Sequence, residues 1–136
     1  MKKICIVIVS FLLSSCDSNT CHSYYFENLS SDTLELRYKS VFMERLIDTV
    51  IEPNVLVTLE SNGLSDPRKQ ICEPGEEDRL SDQGILDHFK VLEVIKDSDT
   101  ILLDIENTSI SDSNEDWDFF IKTYFYTIEV SNESLD

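Results

Sequence analysis

The amino-acid sequence predicts an all-β fold, and three observations carry that expectation. Apolar residues recur at every second position in several short segments, as a half-buried strand requires. Clusters of Asp, Ser, Asn and Pro separate those segments at short intervals. Only "DQGILDHF" (82–89) offers a helical turn, and the 136 residues contain three glycines.

The first strands fall within residues 23–39. "SYYFENL" is aromatic-rich, "TLELRYK" alternates Leu34, Leu36 and Tyr38 with Glu35, Arg37 and Lys39, and "LSSD" lies between them, so a hairpin is expected. "DTVIEPNVLVTLES" reads as a short strand, a turn at Pro53-Asn54 and a second strand with Val55, Val57 and Leu59 facing inward. "FKVLEVIKDSDTILLDIEN" gives two apolar strands around Asp97-Ser98-Asp99, with Ile101, Leu103 and Ile105 on one face. The terminal run "FFIKTYFYTIEV" places Tyr124, Tyr126, Ile128 and Val130 at period two. About seven antiparallel strands result. They favour an immunoglobulin-like β-sandwich, with a small β-barrel as the alternative.

Two stretches interrupt the pattern. Residues 61–82 carry Gly63, Pro67, Pro74 and Gly75 with mixed charge and read as the longest loop. Residues 107–118 are polar apart from Ile110 and Trp117 and read as a second loop. In it, Asp112, Asn114, Asp116 and Asp118 have the opening spacing of a calcium loop, but Trp117 stands where the sharp turn needs Gly, and Thr123 where a closing Glu belongs. No metal is therefore assigned. The acidic run 73–79 reads as a solvated face.

Nucleophilic catalysis needs a base within reach of a nucleophile. The two histidines are His22, beside Cys21, and His88, at a strand edge; the sequence contains no GxSxG, HExxH, CxxC or phosphate-cradling loop. No catalytic residue and no cofactor is assigned, and a non-enzymatic role is expected.

The N-terminus is an address. Lys2 and Lys3 precede an apolar block from Ile4 to Leu13, followed by small residues. This is the pattern of a cleaved signal over residues 1–15, too short to span a bilayer. "LSSC" at 13–16 resembles the lipobox of bacterial lipoproteins, which implies a diacylglycerol and palmitate on Cys16 and cleavage just before it. Residues 16–22 then form a lipidated tether and 23–136 a single domain. All 27 acidic residues remain while the eleven basic ones fall to nine, so the net charge moves from −16 to −18. That argues against nucleic acid, leaves a basic protein partner open, and gives no reason to expect more than a monomer. With Cys5 removed and Cys16 lipidated, Cys21 and Cys72 are the thiols left to an exported chain, and a disulfide between them is expected.

The lipid Cys, "YYFEN", "DTVIEPN", "DSDTILLDI" and "YFYTIEV" together resemble the small exported lipoproteins abundant in Bacteroidetes. The resemblance implies a location in the bacterial envelope, anchored by lipid to the outer membrane on its periplasmic or surface face. It carries over no catalytic residue. Asp17 resembles an inner-membrane retention signal of enteric bacteria. Asp-Thr-aliphatic triplets at Thr33, Thr49 and Thr100 resemble the acceptor motif for O-linked glycans on such proteins. The expected function is a binding or accessory module. Alternatives are an inhibitor or immunity protein for a basic toxin or lysozyme-like hydrolase, and an envelope hydrolase.

Overall fold

The computed structural model describes residues 19–59, 71–74, 78–118 and 121–136. The expected signal, Cys16 and Asp17 lie outside the described residues, as do 60–70, 75–77 and 119–120. Among the described residues nine strands occur: β1 (Asn19–Asn28), β2 (Leu34–Ser40), β3 (Ile47–Ile51), β4 (Val55–Thr58), β5 (Ile71–Pro74), β6 (Phe89–Lys96), β7 (Asp99–Leu102), β8 (Ser109–Asp118) and β9 (Ile121–Val130). One short helix, α1 (Asp82–Asp87), precedes β6, and a 3-10 turn (Asn132–Leu135) ends the chain.

The strands form two sheets packed face to face. One has the order β4-β1-β9-β8, with β5 also paired to β1; the other has the order β3-β2-β6-β7. The expected all-β sandwich is found, and the described strands close into no barrel. Its strand order and the parallel β1–β9 pair are not those of the expected immunoglobulin-like arrangement of antiparallel strands. Strand number and direction differ from expectation: the described residues form nine strands, and β1 runs parallel to β9 along its whole length, from Asn19 opposite Ile121 to Asn28 opposite Val130. A parallel pair needs a crossover. Here everything between the two strands supplies it.

The core follows from alternation. Tyr24, Phe26, Tyr126, Ile128 and Val130 project from the first sheet. They meet Leu34, Leu36, Tyr38, Ile51, Leu92 and Val94 of the second, all in one buried cluster. Burying side chains of this size contributes about 1.5–3 kcal/mol each, the main driving force for holding the sheets together.

Several expectations need correction. The hairpin over 23–39 does not form, because β1 and β2 belong to different sheets. Their inward faces oppose each other across the core, and the turn between them crosses from layer to layer. The turn at Pro53-Asn54 exists, with Asn54 at φ 60°, but it too joins strands of opposite sheets. After it, Leu59 is buried and Val57 packs on the core, whereas Val55 is exposed at the edge. The β6–β7 hairpin forms as expected; Ile101 and Leu103 face inward, and Ile105 is exposed in the following turn.

Both expected loops contain strands. Residues 71–74 are β5, paired with Asn19–His22 of β1, and residues 109–118 are β8, an edge strand paired with β9. Backbone pairing to a strong neighbour overrides the weak local propensity of Asp-, Ser- and Pro-containing segments. Charge on the edge strand β8 also blunts pairing with other chains. Residues 19–22, expected in a tether, belong instead to β1, and Thr20, Cys21 and His22 are buried.

Candidate functional site

The site lies at one end of the sandwich, and β1 supplies its floor. His22, Tyr24, Phe26 and Asn28 alternate along one face of β1. Parallel pairing sets His22 beside Tyr124 and Tyr24 beside Tyr126. Beyond the ends of the sheets, α1 and the segment after β2 close over this aromatic floor.

Helix α1 forms for local reasons. Ser81 caps it, its hydroxyl accepting from the Gly84 amide at 3.1 Å, and Ile85 and Leu86 turn into the core. The helix ends at His88, whose carbonyl accepts from the Val41 amide at 2.9 Å. That bond ties the helix to the start of the β2–β3 connection, where Phe42 projects with 55% exposure.

The result is an open pocket of about 250 Å³. Its walls include His22, Tyr24, Phe42 and His88, with Glu73 and Asp87 on opposite elements. Tyr24 stacks on His88 with ring centroids 4.4 Å apart and planes inclined by 7°. Phe42 lies 5.7 Å from the same imidazole. His22 Nδ1 and the Tyr126 hydroxyl are 3.1 Å apart, and that hydroxyl accepts from the Leu80 amide at 3.1 Å. With its oxygen so engaged, the phenol keeps its proton available for His22.

The electrostatics of the site follow from burial. Desolvation, with a smaller contribution from neighbouring His22, lowers the His88 pKa from 6.5 to about 4. His88 is thus neutral at physiological pH, and its buried Nε2 has no hydrogen-bond partner among the described residues. Burial raises the Tyr24 phenol, and also that of Tyr126, so both stay protonated. Among the described lining residues there are two carboxylates and no lysine or arginine. The nearby Arg79 is held by both oxygens of Asp112 and by Asp82.

The Cys21–Cys72 disulfide is present and sets one wall. The two cysteines are directly opposite each other in the β1–β5 ladder. Each is followed by a pocket residue, His22 after Cys21 and Glu73 after Cys72. The bridge therefore fixes the acidic rim against the aromatic floor.

The remaining expected positions fall elsewhere. Thr33 and Thr100 are exposed at strand starts, whereas Thr49 lies opposite Leu36 on the inward side of β3 and is half-buried. Asp112, Asn114, Asp116 and Asp118 lie along β8 rather than in a loop, with a register shift between Ser113 and Asp116. No cluster of metal-ligating side chains occurs among the described residues. His22 and His88, expected in a tether and at an isolated strand edge, instead belong to one pocket. Extending the alternation of Tyr24 and Phe26 two residues back would have placed His22 on the inward face; no sequence signal pairs it with His88. Among the described lining residues there is no Ser, Thr or Cys. Ser23, the nearest hydroxyl in sequence, is buried on the opposite face of β1.

No protein-family model, characterised protein or solved structure matches this chain. No helix among the described residues is long and apolar enough to cross a membrane.

Proposed function

We propose that this protein is a lipid-anchored binding or accessory module of a bacterial envelope, tethered through Cys16. The observation that carries the reading is the Cys21–Cys72 disulfide. These are the two cysteines that remain once Cys5 is removed and Cys16 is committed to lipid, and such bridges persist in oxidising compartments outside the cytosol. The "LSSC" sequence with its basic start and short apolar block supports the same address. β1 begins three residues after Cys16, so the lipid would hold the sandwich close to the bilayer surface.

A second reading, an inhibitor or immunity protein for a basic toxin or lysozyme-like hydrolase, draws support from the acidic, aromatic pocket and the net charge. An envelope hydrolase has less in its favour, because among the described lining residues no serine, threonine or cysteine stands beside His88.

Cell fractionation tests the anchor. The wild type should sediment with membranes and incorporate labelled palmitate, and Cys16→Ala should abolish both. Retention of label and membrane association by Cys16→Ala would overturn the reading.

A further inference from the structure

We propose that the pocket between His22, Phe42 and α1 receives a basic side chain, lysine or arginine, of a partner protein. The proposal rests on the reading of this chain as an envelope binding module, and names the chemistry its pocket recognises.

Charge complementarity selects the occupant. Glu73 and Asp87 face the pocket from β5 and the end of α1, and no cation lines it among the described residues. Gln83 donates to Asp87 Oδ1 at 2.7 Å, which orients that carboxylate without neutralising it. His88, neutral near pH 7, adds no competing positive charge.

The aromatic rings supply the second element. An ammonium or guanidinium group is attracted to the negative face of an aromatic ring, most strongly where water is partly excluded. Phe42 stands exposed at the mouth, and Val41 beside it lines the pocket and is exposed as well. A basic side chain could lay its apolar stem along these residues and set its charged head between the carboxylates. At about 250 Å³ the pocket suits one such side chain rather than a whole small ligand of ordinary size.

The test uses pentalysine and pentaarginine as probes, with Nε-acetylated pentalysine as a neutral control, followed by nuclear magnetic resonance on the disulfide-bonded protein. Binding should shift the resonances of Phe42, His22 and His88, and the acetylated peptide should fail to do so. Glu73→Gln combined with Asp87→Asn should weaken binding about five-fold, as expected for two partly exposed charge pairs. Phe42→Ala should weaken it about three-fold. The comparison variant is Asp97→Asn with Asp99→Asn. It removes the same charge from the β6–β7 turn and the start of β7, beyond the end of β6 remote from Phe89, and should leave affinity unchanged. Amide spectra establish that each variant is folded.

Equal weakening by the two double variants would mean that binding follows net charge alone, and would overturn the proposal. So would shifts that bypass Phe42 and both histidines. Membrane attachment through Cys16 is scored separately, so failure here leaves the anchor reading standing.

Discussion

The side chain of Asn28, fully buried at the end of β1, donates through Nδ2 to the carbonyl of Ile51 at 3.1 Å, linking the two sheets. The same nitrogen donates to the Asp32 carbonyl at 2.8 Å. Its Oδ1 accepts from the Ser30 amide at 3.0 Å and the Ser30 hydroxyl at 2.6 Å. The Asn28 backbone carbonyl also accepts from the Asn54 amide at 2.6 Å. One residue thus holds two of the four points where the chain crosses between layers, β1 to β2 and β3 to β4.

Replacing Asn28 with Ala should therefore be costly. Buried carbonyls and an amide would lose their partners, and leaving such groups unpaired costs about 1–3 kcal/mol each before any relaxation. A loss of about 3 kcal/mol in urea unfolding is expected. A loss below about 1 kcal/mol would mean that water replaces the amide and that the side chain is not the latch.

Reduction of Cys21–Cys72 should lower stability by about 4 kcal/mol, the entropic effect of a bridge spanning 51 residues. Residues 19–136, unfolded without reduction, should consume no thiol reagent, whereas after reduction they should consume two equivalents. Because the bridge pins β5 to β1, Cys72→Ala should also broaden the His22 resonances while leaving the β2–β6 amides sharp.

The His88 imidazole should titrate near pH 4 in the folded protein, followed through its ring protons. The sign of the stability effect is fixed by linkage: the unfolded chain binds this proton from pH 6.5 downward and the folded chain only near 4, so stability is lost as pH falls through that window. Allowing for the partial exposure of the ring, the loss is about 2 kcal/mol. His88→Phe preserves the stack on Tyr24 without a titratable group. Its stability should fall less between pH 7 and pH 4.5 than that of the wild type, and equal slopes would refute the assignment.

The β6–β7 turn should accept improvement. Asp97 and Ser98 sit at φ 49° and 77°, in a two-residue connection flanked by the paired Lys96 and Asp99. Both values are left-handed, the conformation of a type I′ turn that favours Asn-Gly. Asp97→Asn with Ser98→Gly should raise stability by about 0.5–1 kcal/mol, measured by thermal unfolding. No gain, or a loss, would show that the native pair makes compensating contacts.

Arg37 lies at the centre of the outer face of the second sheet. It donates to Asp48 at 2.6 Å and to Glu93 at 3.1 Å, with Glu35 at 3.5 Å. Arg37→Gln should lower the urea midpoint more at low than at high salt, because salt screens the three carboxylates left facing one another. A salt-independent change would assign the effect to lost packing instead.

What the sequence by itself determined is the local alternation and its punctuation. Leu34, Leu36 and Tyr38 announce a strand buried on one face, Asp97-Ser98 announces a tight turn, and the cysteine count selects Cys21 and Cys72. Period two records which face of a strand is buried but not which strand lies beside it. Residues 23–39 could therefore pass for a hairpin although β1 and β2 lie in different layers. Tertiary structure decided that layering, through Asn28 and the parallel pairing of β1 with β9. It also made strands of 71–74 and 109–118, whose side chains carry little signal because their stability comes from backbone bonds to β1 and β9. The same long-range pairing brings His22, Glu73 and His88 to one pocket, since residues so far apart in sequence become neighbours only when the two sheets close on a shared core.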